Sequence, residues 1–251
     1  MSLKKELEKQ GNWLFKYRSF LPLAIVFIGT LIHVQAAINP DSFLVKNVSS
    51  NTLLEITAIC TSLVGFLIRV YTVGHTPKNT SGRNTKRGQV AESLNTTGIY
   101  SIVRHPLYLG NFLMWLGPAM LTANFWFTVS FVFLFWLYYE RIMYAEEKFL
   151  QQKFGKTYAD WADGVPAFLP AITTFRKPVY PFSWKKVLKK EKNGLFALFL
   201  LFCFFDIFGK YLRQDSNYNY FLLTLCLFTG LLYMVLKYLK THTNRLDEVD
   251  R

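Results

Sequence analysis

Six apolar blocks constrain this chain more than any other feature. They run from Ser19 to Ile38, Thr52 to Val73, Leu107 to Phe125, Trp126 to Tyr144, Leu195 to Phe208 and Tyr220 to Tyr238. A helix needs about 20 residues to cross the ~30 Å hydrocarbon layer of a bilayer, and most of the blocks reach that length. The pattern predicts an all-α polytopic membrane bundle of about six transmembrane helices. The fifth block is the weakest, with a short apolar core and Asp206 near one end. It is read as spanning rather than interfacial because that choice keeps the cationic loops on one side of the membrane throughout.

Those cations are distributed very unevenly. Of the 29 Lys and Arg residues, five precede residue 19, five lie in 74–106, eleven in 141–192 and four from Lys237 onward. Only Lys46, Lys210 and Arg213 fall on the opposite side, and Arg69 sits inside the second block. Positively charged loops stay on the cytoplasmic side, so both termini are expected there after an even number of crossings. The net charge of +13 then faces anionic headgroups, each surface cation contributing about 1 kcal/mol. Clustered cations also neutralise nucleic-acid phosphates, but here they flank spans and no soluble domain could present a duplex, so nucleic-acid binding is not expected. The first block is too long for a cleavable signal peptide and is expected to remain as an anchor. Cys60, Cys203 and Cys226 lack metal-ligand spacing, which predicts neither a disulfide framework nor a metal site.

The chain divides accordingly. Residues 1–18 read as an amphipathic cytoplasmic lead-in, solvated or interfacial, and 19–73 as the first two transmembrane helices. Residues 74–170 form a core of cytoplasmic loop, helical hairpin and following segment; 171–192 are a basic interfacial stretch, 193–240 the C-terminal transmembrane helices and 241–251 a polar tail. The loop from Gly74 to Gly98 exceeds the 12 to 15 or so residues of an ordinary connection, which points to function. Leu107 to Tyr144 reads as a hairpin turning at Thr122-Ala123-Asn124. It returns Glu146-Glu147 to the side of the membrane that holds Arg104, so stretches distant in sequence can line one pocket. Ionisable residues so close to hydrocarbon are costly without a partner or a function.

Four motifs follow one another here. Arg104-His105-Pro106-Leu107-Tyr108-Leu109-Gly110 opens the hairpin and Glu146-Glu147 closes it. Phe154-Gly155-x-x-Tyr158-x-x-Trp161 and Val165-Pro166-x-Phe168-x-Pro170 complete the set. Alone, each has a plainer explanation: Arg-His as positive-inside flanking residues, the glutamates as surface partners of Lys148 or Arg141. As an ordered set with shared sidedness, over roughly 98–170, they resemble the isoprenylcysteine carboxyl methyltransferase and phospholipid methyltransferase superfamily. The resemblance implies a cytoplasmic-side pocket for S-adenosylmethionine in a helical bundle without a Rossmann domain. It places His105, Tyr108 and Gly110 around the methionine portion and Glu146 and Glu147 at the acidic end.

Physical chemistry supplies candidate roles. A carboxylate such as Glu147 can accept from ribose hydroxyls or pair with an ammonium, and Arg104 can grip a carboxylate bidentately. Pro106 fixes the backbone where a helix begins, beside N–H groups able to face an anion, and Gly110 leaves room for a close approach. Arg104 and Glu146 are the candidate catalytic pair, Glu146 being the only nearby base for an amine acceptor. An anionic acceptor needs no base. Arg83, Lys86 and Arg87, among hydroxyls and glycines, suit a headgroup phosphate, and the surrounding Thr-Ser-Gly-Arg-Asn stretch is similar to bacterial lipid A 1-phosphate methyltransferases. A lipid phosphate in a bacterial inner membrane is therefore the leading expectation, with a prenylcysteine carboxylate or the amine of phosphatidylethanolamine as alternatives. An NADPH-dependent membrane reductase and a transporter are the alternatives of other classes.

Overall fold

The computed structural model describes residues 2–18, 20–38, 52–78, 80, 84–85 and 88–248. Eight α-helices are found among them: α1 (Leu3–Tyr17), α2 (Leu21–Ile38), α3 (Thr52–His75), α4 (Pro106–Leu121), α5 (Phe125–Phe154), α6 (Lys156–Asp163), α7 (Trp184–Leu212) and α8 (Tyr220–His242). Two-residue strands, Asn84–Thr85 and Gly88–Gln89, pair antiparallel.

Each apolar block lies within or overlaps a helix. Among the described residues, Leu53–His75, Trp184–Leu212 and Tyr220–His242 are long and apolar enough to cross a membrane, and Leu23–Gln35 is a shorter apolar helix. These helices make the chain an integral membrane protein. The fifth block, read as the weakest, lies within one of the three, because helix α7 continues through Leu195–Phe208 at both ends. The basic stretch expected on the headgroups thus becomes α7 from Trp184 onward. By contrast α4 has 16 residues, or about 24 Å of helix, short of a full hydrocarbon thickness.

Helices α3 and α4 form the most extensive contact in the bundle, and small residues explain how. A Cβ on Gly65 would lie 2.5 Å from the Gly110 carbonyl oxygen, and one on Gly117 would overlap Ser62 Oγ. Ser62 has a second task. Pro118 lacks the N–H that would bond the Met114 carbonyl one turn back, and Ser62 Oγ donates to that carbonyl at 3.0 Å. A polar side chain from the neighbouring helix thereby satisfies a backbone group that proline frees within α4.

The expected hairpin is present. Asn124 caps α5, its Oδ1 accepting from Phe127 N at 2.8 Å, and Ala123 takes the left-handed conformation at φ 52° that reverses the chain. Gly155, at φ 54°, separates α5 from α6, a conformation that glycine adopts without steric cost. Helix α1 is mostly exposed, with Gly11 and Phe15 buried. It packs along α5: Gly11 sits against the Arg141 carbonyl, Tyr138 OH donates to Leu14 O at 3.1 Å, and Phe15 is buried in the core with Tyr108, Tyr139 and Ile142.

Candidate active site

The start of α4 is held by the proline-rich segment that follows α6. Arg104 N donates to Pro166 O at 2.9 Å, His105 N to Ala167 O at 3.1 Å, and Ala171 N to Ile102 O at 2.9 Å. The closing Val-Pro-x-Phe-x-Pro motif is thus a backbone partner of the Arg-His-Pro motif, and its Phe168 packs against Phe112 and Trp136. These carbonyls occupy the N–H groups of Arg104 and His105, so those two are not available to an anion. Pro106 occupies the first helical position, where its missing N–H costs nothing.

The hairpin brings Glu146 and Glu147 onto this helix start. Tyr108 OH donates to Glu146 Oε2 at 2.8 Å, His105 Nε2 meets Glu147 Oε1 at 2.9 Å, and His105 Nδ1 lies 3.6 Å from Glu146 Oε2. Arg104 Nε is 3.2 Å from Glu147 Oε1, and its Nη1 donates to Ala162 O at 3.1 Å. With a carboxylate at each ring nitrogen, His105 is best served as imidazolium, both nitrogens donating. Burial alone would pull its pKa down, but the hydrogen bonds and charges of the two glutamates outweigh it and the net shift is upward. For Glu146, burial alone would raise the pKa; bonding and charge from His105, then the Tyr108 hydroxyl, outweigh it, and the carboxyl is held below its usual range. Burial and the neighbouring Glu147 push the Tyr158 phenol well up, keeping it protonated.

The two shifts have opposite pH signatures. A raised histidine pKa contributes stability below the ordinary value of about 6.5 that is lost as pH rises through the folded value; a lowered glutamate pKa contributes stability lost as pH falls through its folded value. Thermal stability of the detergent-solubilised protein is therefore expected to decline as pH climbs above about 6.5, and His105→Gln should remove that alkaline limb. Parallel melting profiles for the two proteins would show that His105 does not carry a charge in this cluster.

A cavity of about 290 Å³ opens beside these groups, near the lower bound of small-molecule pockets. Arg104, His105, Pro106, Tyr108 and Glu146 are on its wall, as are Tyr100, Phe149, Tyr158 and Trp161. Glu147 and Gly110 are not lining residues. Glu147 is turned to Arg104 and His105, and a Cβ on Gly110 would meet the Arg69 stem at 2.6 Å and the Gly65 carbonyl at 2.8 Å, so the close approach that Gly110 permits is that of α3. Arg83, Lys86 and Arg87 lie outside the described residues. Their loop still contributes Thr80 and Gln89 to the cavity wall.

Much of the lining comes from residues outside the motifs, a cation from α3 among them. Phe15 comes from α1, Arg18 from the position just after it, and Arg69 projects from α3. Arg69 Nε and Nη2 donate to Glu191 Oε2 and Oε1 at 2.9 and 2.8 Å, and Nη1 donates to Asn111 Oδ1 at 2.6 Å. A guanidinium has five N–H donors; these bonds use three, leaving one on each terminal nitrogen. The signal that could have singled out Arg69 is its place as the lone cation within an apolar block, which demands an acidic partner.

Residues 54–157 match the phospholipid methyltransferase family. A protein-S-isoprenylcysteine O-methyltransferase of Schizosaccharomyces pombe is 39% identical over 79 residues, covering 32% of this chain and 34% of that protein. Its namesake in Saccharomyces cerevisiae is 29% identical over 141 residues, 53% of this chain and 58% of the relative. The cobalt-zinc-cadmium resistance protein CzcN of Cupriavidus metallidurans is 35% identical over 89 residues, 36% of this chain and 41% of that protein. The chain thus spans between a third and three-fifths of the length of these relatives. No solved structure matches it. Over the α3–α5 region that builds most of the cavity, the chain is similar to the phospholipid methyltransferase family.

Proposed function

We propose that this chain is a membrane methyltransferase that uses S-adenosylmethionine to esterify the carboxylate of a prenylated cysteine. The observation that carries the reading is the pairing, on one cavity wall, of an acidic cluster with an arginine that keeps one N–H on each terminal nitrogen beyond its bonds to Glu191 and Asn111. The cofactor has a sulfonium, an ammonium, hydroxyls and a flat adenine. The groups present fit it: Glu146 for cationic or hydroxyl groups, and Tyr100, Phe149, Tyr158 and Trp161 for a ring. When bound, the cofactor supplies an electrophilic methyl whose C–S bond breaks as a C–O bond forms to the acceptor, leaving a neutral thioether and a methyl ester. No proton has to be removed from a carboxylate, so the chain's part is to orient and to exclude water. Glu146, held ionised by His105 and Tyr108, would hold the cationic end of the cofactor. Arg69 keeps one N–H on each terminal nitrogen, two donors for a carboxylate's two oxygens. Arg104, ion-paired with Glu147 and donating to Ala162 O, holds the acidic pair and the α6 end in place.

The relatives named above favour this acceptor over the lipid A phosphate expected from the loop residues, for which they give no support. The cation asymmetry supports six crossings with both termini and the cavity on the cytoplasmic side, where a lipidated acceptor would reach the cavity from the bilayer. The test is direct: purified protein in nanodiscs, supplied with S-adenosylmethionine and N-acetyl-S-farnesylcysteine, should form the methyl ester seen by mass spectrometry. Binding of S-adenosylhomocysteine without any ester would refute the acceptor, and absence of that binding would refute the enzyme class.

A further inference from the structure

We propose that Glu191 on α7 is the positioning residue for Arg69, fixing the guanidinium so that its two remaining N–H groups face the acceptor; this rests on the acceptor reading above. Helix α7 lies outside residues 54–157, the part of the chain that matches the family, so the clamp ties that part to the C-terminal third of this chain.

The geometry is that of a two-point grip. Both oxygens of Glu191 are engaged along the Nε–Nη2 edge of the guanidinium, and Asn111 on α4 takes one donor of Nη1. Three helices therefore converge on one planar group, which leaves it little rotational freedom. The side chain of Glu191 is 4% exposed and that of Arg69 22% exposed, so the carboxylate is the buried partner and the arginine is the one that reaches the cavity. Burying a carboxylate is costly, and an apolar pair of similar volume would join α3 to α7 as well or better. Helix packing alone gives no reason for a charged pair here. An aimed donor pair does, because a pre-set arginine loses less freedom when its ligand arrives. Since the pair carries no net charge, an acceptor is selected by matching a planar fork rather than by general attraction.

The test uses the full chain in nanodiscs and compares wild type with Glu191→Gln. Arg69 is probed by phenylglyoxal modification and peptide mass spectrometry, with Arg104, similarly exposed at 20%, as internal reference. Loss of the charged grip should raise the Arg69 modification rate about tenfold, leave Arg104 unchanged, and lower kcat/KM for N-acetyl-S-farnesylcysteine by about tenfold or more. Affinity for S-adenosylhomocysteine should stay within about twofold. If Arg69 reactivity does not change, or rises in step with Arg104, Glu191 is only part of the packing and the proposal is wrong. A second comparison guards against misfolding: adding Glu191→Leu to Arg69→Met should cause no further loss of kcat/KM, because Glu191 acts through Arg69. A further loss overturns the proposal. If the wild type leaves the probe unmethylated, the acceptor reading fails by itself, and the Arg69 modification rate still decides the role of Glu191.

Discussion

Replacing Arg69 with glutamine is expected to lower kcat/KM for N-acetyl-S-farnesylcysteine about a hundredfold to a thousandfold, the usual loss when a positioned donor is removed from a dehydrated site. Affinity for S-adenosylhomocysteine should change by no more than about twofold, because the acidic cluster proposed for the cofactor is not among the partners of Arg69, which are Glu191 and Asn111. The variant leaves Glu191 as an unpaired buried carboxylate, which is destabilising; the double variant Arg69→Met, Glu191→Leu removes that penalty and should show the same catalytic loss in a stable protein. Isothermal titration and ester formation measured on one preparation separate the two effects. A large loss of S-adenosylhomocysteine affinity would mean that Arg69 grips the cofactor's own carboxylate, and the acceptor would then need another partner.

The second large effect belongs to Glu146. Glu146→Ala should weaken S-adenosylhomocysteine binding about a hundredfold, since it removes the acceptor of the Tyr108 hydroxyl at 2.8 Å and a carboxylate 3.6 Å from His105, and hydrogen bonds to charged groups are worth about 1.5–3 kcal/mol each. Tyr108→Phe, which removes only the donor, should cost less. Glu147→Gln should cost less still in cofactor affinity, because Glu147 is bonded to His105 and ion-paired with Arg104 rather than placed on the cavity wall. Equal losses at Glu146 and Glu147 would show that the two carboxylates work as one unit and that the cavity geometry does not separate their roles.

The hairpin is legible in the sequence because its causes are local. Thr122-Ala123-Asn124 is a turn with its own cap, and the apolar runs on either side are helical whatever they touch. From that topology follows the meeting of Arg104-His105 with Glu146-Glu147, which the distances bear out. The extent of α7 is less legible. Its polar first turns carry lysines that read as a headgroup segment, yet Ser183 caps a helix there by accepting from Lys186 N at 3.1 Å, and Lys186 buries its ammonium against the Pro77 carbonyl just beyond the C-terminal end of α3, at 3.0 Å. A cation among the unpaired carbonyls of a helix end is stable in a way that composition does not reveal.

By itself, then, the sequence determined the helical blocks, the uneven distribution of charge among their loops and the order of the motifs around Arg104 and Glu146, since hydrophobic length, loop charge and capping are properties of single segments. Only the tertiary structure decided that α1 packs on α5, that Gly110 serves the approach of α3, and that Arg69 finds Glu191, 122 residues away. Those outcomes depend on the rotation of each helix about its axis and on which neighbour it meets. A helix's own residues limit that rotation to the face that must be buried, but the identity of the partner is set by shape and charge distributed over the whole bundle.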